Sequence, residues 1–282
     1  MAQLTDRNIT QVVLSRFGQQ LDARFQRVIT SLIEHLHDFV RDVDLTNEEW
    51  RRAIQFLTAT GHITDDKRQE FVLLSDTLGV SALIDLLAHG KRAAGATQSS
   101  LLGPFYVEGA PELELGANIA HTSGDPIVVR GQVTAVDGGP LSGVLLDVWQ
   151  ADPRGFYDVQ DPTQPAMNLR GKFRTDAQGR YHFRSIKPKS YPVPHDGPVG
   201  ELLRAQGRHP FRPAHIHFIL SAPGYHTLVT ALYIAGDEYL ESDAVFGARD
   251  PLVVSYRPNT AGEAQEPREM IGFDFKLAPL RP

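Results

Sequence analysis

The apolar residues of this chain change their spacing partway along, from a period near 3.6 to a period of two. That change restricts the chain to folds in which a helical part precedes a sheet part. From Phe25 the apolar positions are Val28, Ile29, Leu32, Ile33, Leu36 and Phe39, the stripe of a helix with one apolar face. Thr46-Asn47-Glu48-Glu49 spells a capping box: the threonine hydroxyl accepts from the Glu49 amide while the glutamate reaches back. Trp50, Ile54 and Leu57 follow, and Gly61 reads as the stop. A third helix is expected from about Thr64-Asp65-Asp66 to Leu78-Gly79, and a short fourth is expected to end at Gly90.

From Pro126 the alternation is that of strands. PIVVRGQVTAV runs into the turn Asp137-Gly138-Gly139-Pro140, and LSGVLLDVWQ follows. KFRTDAQGRYHFRSI reads as two strands joined by an Asp-Ala-Gln-Gly turn. HIHFIL, TLVTALYIA, PLVVSY and MIGFDFKL are further strands. Many short strands punctuated by Gly and Pro predict a sandwich or barrel. The expected class is therefore α+β: an all-helical N-terminal domain, residues 1–100, then a β-sandwich domain, residues 101–282. The boundary is placed in the loop-like GATQSSLLGPFYVEGAP.

Composition narrows the function. With 282 residues, 41% of them hydrophobic, the chain is long enough for two lobes. A net charge of -6 and the lack of a basic stripe argue against nucleic acid as a partner. No cysteine is present, which excludes disulfides and thiolate metal sites. The N-terminus lacks the apolar run of a signal peptide, and no stretch approaches the roughly 18 apolar residues of a membrane span. A cytoplasmic protein is expected. No P-loop, G-x-G-x-x-G or G-x-S-x-G supports a nucleotide or serine-hydrolase reading.

The chemistry concentrates in RPAHIHF, residues 212 to 218. On a strand, His215 and His217 share a face and Ile216 takes the other. The same spelling at His35 and His37 falls on a helix, where two residues subtend about 200°, too far round for one ion. A strand-borne His-x-His pair suits a metal but also suits two bonded structural histidines. A carboxylate such as Asp158 or Asp237 would complete a zinc or ferrous hydrolase site. The other candidates are tyrosines in odd loops: Tyr157 in ADPRGFYDVQ and Tyr191 in KPKSYPVPHDGPVG. On composition alone, each reads as a core tyrosine with a bonded hydroxyl. A metal-free sandwich that only binds a partner is the remaining rival, and metal analysis distinguishes it.

Taken together, DVWQADPRGFYD, LRGKFRTDAQGRYHFRSIKPKSYPVPHDGPVG and GRHPFRPAHIHFILSAPGYHTLVT resemble the intradiol ring-cleavage dioxygenases. The likeness extends over the helical part, in the manner of the catechol and hydroxyquinol branch. It implies one ferric, non-haem iron per subunit, Fe(3+), held by Tyr157, Tyr191, His215 and His217. Hard phenolate oxygens favour the ferric state, and a trivalent cation favours the phenolate. The implied substrates are O2 and an aromatic ring with adjacent hydroxyls. Tyr191 would leave the iron and take a substrate proton. Arg212 would stabilise negative charge developing on the ring.

Within that branch TGHITDDKRQEFVLLSDTLGVS, GATQSSLLGPFYVEGAPELELGA and YLESDAVFG resemble the hydroxyquinol members most. Leu73, Asp76, Leu102, Gly103, Pro104 and Val245 match pocket-lining positions. A carboxylate beside an aromatic pocket needs a polar partner, which the third hydroxyl of benzene-1,2,4-triol supplies and catechol does not. A cap at the end of its helix is the other reading of Asp76. The triol, opened to maleylacetate or its enol, is the expected substrate; a catechol or chlorocatechol is the alternative. One departure is Ala231, where catechol-cleaving members usually carry a glutamine near the iron. The resemblance also implies a homodimer through the helical domain, with an apolar tunnel able to hold a phospholipid.

Overall fold

The computed structural model describes residues 3–18, 20–65, 68–260 and 267–280. The chain divides into two compact units, Met1–Ala59 and Thr60–Pro282. That division falls before the loop at 93–111 and groups two of the helices with the sheets.

The first unit holds α1 (Ile9–Leu14), α2 (Ala23–Asp42) and most of α3 (Asn47–Ile63). Helix α1 is a single short element of six residues with Ile9, Val12 and Val13 on one side, too brief for a periodic pattern to stand out. Helix α2 starts where the Asp22 carboxylate accepts from the Phe25 amide at 2.7 Å. The capping box forms as expected: the Glu49 amide donates to the Thr46 hydroxyl at 3.3 Å and the Thr46 amide donates to the Glu49 carboxylate at 2.9 Å. The apolar stripe is also real, but it is open. Val28, Leu32, Leu36, Phe39, Trp50 and Ile54 are 46–52% exposed. His35 and His37 find separate partners, the Ser31 carbonyl at 2.7 Å and the Thr10 hydroxyl at 2.9 Å.

Two helix ends differ from expectation. Helix α3 passes through Gly61 to Ile63, where the Thr64 hydroxyl donates to the Thr60 carbonyl at 2.7 Å. The third helix of the sequence reading, α4 (Glu70–Thr77), begins later than Thr64. The Asp65 carboxylate accepts from the Arg68 amide at 2.7 Å, and the Asp65 amide donates to the Arg68 carbonyl at 2.9 Å. This closed turn delays the helix; Asp66 lies outside the described residues. Helix α5 (Val80–His89) ends at Gly90 as expected.

The rest of the second unit is built on two five-stranded sheets. In the first, β1 (Pro126–Ala135) is central. It pairs antiparallel with β4 (Arg180–Ile186) and parallel with β11 (Glu269–Gly272) and β12 (Phe275–Leu277); β10 (Arg257–Pro258) flanks β11. The second sheet runs β3 (Arg170–Arg174), β2 (Leu145–Gln150), β7 (His215–Ser221), β8 (Leu228–Ile234), β9 (Val253–Val254). The short pair β5 (Tyr191–Pro192) and β6 (Phe211–Arg212) brackets helix α6 (Pro198–Ala205).

The two strands of KFRTDAQGRYHFRSI are thus joined but not paired, since β3 belongs to one sheet and β4 to the other. PLVVSY keeps only two strand residues because Asp250–Leu252 forms a 3-10 turn. MIGFDFKL breaks into β11 and β12, where the Phe273 amide donates to the Arg130 carbonyl at 3.1 Å. Between the sheets, Val129, Phe183 and Phe275 meet Val148, Phe173, Ile216 and Phe218 in one buried cluster. Burying each such side chain contributes about 1.5–3 kcal/mol.

Candidate metal centre and active site

Strand pleat decides what the second sheet shows on its other side. On β7, Ile216, Phe218 and Leu220 enter the core, so His215 and His217 point away from it, as the period of two requires. Register then sets their neighbours: Trp149 and Ala231 flank His217, and Tyr233 lies beside His215. All five side chains are buried, because loops cover this face.

One loop brings Tyr157. The Asp152 carboxylate accepts from the amides of Arg154 at 2.8 Å and Phe156 at 3.0 Å, which closes the turn. Gly155 sits at φ +85°, and a Cβ there would lie 2.9 Å from the Cβ of Tyr191. Only glycine permits both that conformation and that approach. A second loop brings Tyr191, whose strand partner is Arg212. The pairing carries Tyr191 and Arg212 to the site together.

The four polar atoms converge. The hydroxyls of Tyr157 and Tyr191 are 3.4 Å apart, and the Tyr157 hydroxyl is 3.5 Å from His215 Nε2. His215 Nε2 and His217 Nε2 are 3.0 Å apart. The Pro213 carbonyl accepts from His215 Nδ1 at 2.7 Å, which leaves the Nε2 lone pair facing the site. His217 Nδ1 is buried without a partner, and its ring is held by stacking on Trp149, with centroids 4.7 Å apart and planes 5° apart. Phe105 stacks on Tyr157 at 4.8 Å. Burial, with the Arg212 charge nearby, pushes His215 down to about 3; burial and its neighbour His215 hold His217 well below the usual imidazole value. Both imidazoles are neutral donors of lone pairs. Burial raises the Tyr157 phenol well above its usual value, so it ionises only against a strong cation. Two imidazole nitrogens and two phenol oxygens converge in this buried site with neighbours 3.0–3.5 Å apart, a donor set that fits a metal ion with hard-donor preference.

The carboxylates considered for a hydrolase do not join this cluster. Asp158 pairs with Arg170 at 2.6 Å, and Asp237 accepts from the Ala214 amide at 3.0 Å. Among the described residues no group of three or more His, Asp or Glu side chains is placed to hold a metal.

A cavity of about 160 Å³ opens among Arg68, Val72, Leu73, Asp76, Pro104, Phe105 and Pro194, with Gln69 and Glu70 completing its wall. A void of about that size accommodates a benzene ring. Leu73, Asp76 and Pro104 are brought together in this wall. Gly103 lies against the His217 ring instead, 3.5 Å from where its Cβ would be. Leu102 is 41% exposed, and Val245 is buried outside this wall; neither lines the cavity. Burial lifts Asp76 above the ordinary carboxylate range, opposed by the Ser81 hydroxyl and the Arg212 charge. Sequence reasoning missed Phe105, Pro194 and the buried Asp243, Tyr233 and Trp149. The strand alternation around Trp149 and Tyr233 could have indicated the last two.

Residues 101–279 match a family model described as Dioxygenase, and residues 22–96 match one described as Catechol dioxygenase N terminus. The chain is 47% identical to a 6-chlorohydroxyquinol 1,2-dioxygenase of Cupriavidus pinatubonensis, over 99% of both chains. It is 48% identical to a hydroxyquinol 1,2-dioxygenase of a Rhizobium species, over 93% of this chain and 88% of the relative. Among solved structures, the hydroxyquinol 1,2-dioxygenase of Pseudomonas putida DLL-E4 superposes with a TM-score of 0.92 at 44% identity, covering 98% of this chain and 99% of the other. A catechol 1,2-dioxygenase of Acinetobacter radioresistens gives 0.84 at 32% identity, covering 98% and 92%.

Proposed function

This chain belongs to the intradiol ring-cleavage dioxygenase family, and from that premise we propose that it opens benzene-1,2,4-triol between its adjacent hydroxylated carbons. O2 is the co-substrate, and both its atoms enter the product, 3-hydroxy-cis,cis-muconate, the enol of maleylacetate. Tyr157, Tyr191, His215 and His217 would hold one ferric ion per subunit, which would supply Lewis acidity toward the diol oxygens.

The protein's own groups do the rest. Tyr191 accepts one of the two protons that the diol must lose. Tyr157 stays fixed by its stack on Phe105 and by its tight turn. Arg212 directs an N–H toward charge developing on the ring; removing such a donor costs about 10² to 10³ in rate. Phe105, Leu73 and the prolines exclude water and seat the aromatic face.

The observation that carries the choice of triol is Asp76, a carboxyl in the wall of a ring-sized apolar cavity. Its desolvation is offset when the third hydroxyl donates to it. The names carried by the relatives agree with this reading. Oxygen consumption and product spectra with the triol, catechol and chlorocatechols test it. Fastest turnover is expected on the triol, and Asp76→Ala should lower turnover of the triol more than of catechol. Equal losses on both, or catechol preferred by the wild type, would overturn it.

The open apolar stripe of α2 and α3 supports a homodimer through the helical domain. A phospholipid held by the same face is a further part of this reading; lipid extraction and mass spectrometry of the purified protein test it.

A further inference from the structure

We infer that Asp243 is a positioning residue for Arg212: its carboxylate occupies one edge of the guanidinium, so that the remaining nitrogen faces the reacting centre. The inference rests on the role just assigned to Arg212. Arg212 and Asp243 are both buried, at 2% and 4% exposure. Asp243 Oδ1 lies 3.2 Å from Arg212 Nε and Oδ2 lies 3.4 Å from Nη2. The Tyr233 hydroxyl accepts from Nη2 at 3.2 Å. What remains is Nη1, and it lies 3.3 Å from His215 Nε2, inside the donor cluster.

The carboxylate is itself held in place. It accepts from the backbone amides of Val245 at 3.3 Å, Gly247 at 2.9 Å and Ala248 at 3.1 Å, so the loop at 243–248 winds around it. The Ser100 hydroxyl donates to the Gly247 carbonyl at 2.8 Å and sits 2.8 Å from the Tyr233 hydroxyl. With its own proton committed, Ser100 accepts from Tyr233, which in turn accepts from Arg212. Gly247 makes room for this: a Cβ there would be 2.7 Å from Arg212 Nη2 and 2.8 Å from the Tyr233 hydroxyl.

The pairing has a chemical consequence. Arg212 and Asp243 together carry no net charge. The arginine therefore acts through one directed N–H more than through its long-range field, and orientation controls its effect. Loss of Asp243 should then appear in kcat more than in KM, and only while Arg212 is present.

The test compares iron-loaded wild type with Arg212→Lys, Asp243→Asn, Tyr233→Phe and the corresponding double variants. Each is assayed on whichever diol the wild type turns over fastest. Iron content, visible spectrum and melting temperature are measured alongside. The expected result is a fall in kcat of roughly 10- to 100-fold for Asp243→Asn, the scale of losses around a metal's outer partners. KM should change little, and iron content and spectrum should be kept. The Arg212→Lys/Asp243→Asn double variant should lose no more than Arg212→Lys alone. Losses that multiply, or a native kcat in Asp243→Asn, would overturn the inference. Should Asp243→Asn fail to fold, Tyr233→Phe decides: a lower kcat that is non-additive with Arg212→Lys supports it, and an unchanged kcat refutes it. If Arg212→Lys itself leaves turnover intact, the role assigned to Arg212 fails first; if only Asp243 is silent, that role stands and the positioning claim alone is lost.

Discussion

Asp76 shows how a single side chain can cost stability at the place where a recognition role is proposed for it. Its folded-state pKa is raised by burial above the ordinary value of 3.8. A raised folded pKa means that Asp76 favours folding most below the unfolded value, and that this contribution is lost as pH rises through the folded value. At neutral pH the buried carboxylate is therefore a net burden. Asp76→Asn should melt at a higher temperature than the wild type at pH 7, and the gap should narrow as pH falls through the folded pKa toward 3.8. The same variant should turn over the triol more slowly. Thermal denaturation at several pH values, paired with oxygen consumption, checks both halves. His215 and His217 drew attention through local strand alternation, while Tyr157, Tyr191 and Asp76 could be assigned to the site only through the resemblance carried by the stretches around them. Asp243 was not legible, because its meaning depends on a contact 31 residues away that no spacing rule encodes.

At the scale of elements, turns place the chemistry and the sheet supplies the rigid base. The Tyr157 turn depends on Gly155, with its φ of +85° and its approach to Tyr191. Gly155→Ala should cost about 1–2 kcal/mol from the left-handed backbone alone, and more from the clash. It should also disturb the visible spectrum of the iron-loaded protein, since the two phenols would be forced apart. Calorimetry and absorption spectra measure these effects. Strand and helix identity followed from apolar period, which is why α2, α3 and the strands β1, β2, β7 and β8 could be read directly. Boundaries set by competing local bonds could not. The Asp65 turn that delays α4 and the 3-10 turn before Val253 are both side-chain or proline effects acting against the period. The allocation of β3 and β4 to different sheets escaped for another reason: a short turn signals proximity in sequence, and only long-range pairing decides which sheet a strand joins.

For the molecule as a whole, the sheets and the helices treat their apolar residues differently. The two sheets bury apolar residues between their layers, while α2 and α3 of the first unit, and α5 of the second, leave many of theirs half exposed. Among the described residues no single helix is long and apolar enough to cross a membrane. A stripe of that kind on a surface helix calls for a partner, and a second copy of the chain is the one proposed. Leu32→Asp combined with Leu36→Asp should convert the dimer to a monomer in sedimentation velocity runs, with the wild type remaining dimeric at the same concentration. A wild type that sediments as a monomer would remove that proposal without touching the metal centre. The class of the fold was legible from the single change of period; the openness of the helical stripe was not, because a sequence shows which face is apolar and not what lies against it.

The account stands on ferric iron bound through two phenolate oxygens. Its most direct test is the visible absorption of the iron-loaded protein beside that of Tyr157→Phe, Tyr191→Phe and the double variant, with iron content measured in each. The predicted result is a broad band across the visible range in the wild type, altered in each single variant and absent in the double one. A wild type that holds iron and stays colourless, or a double variant that keeps the band, would contradict it.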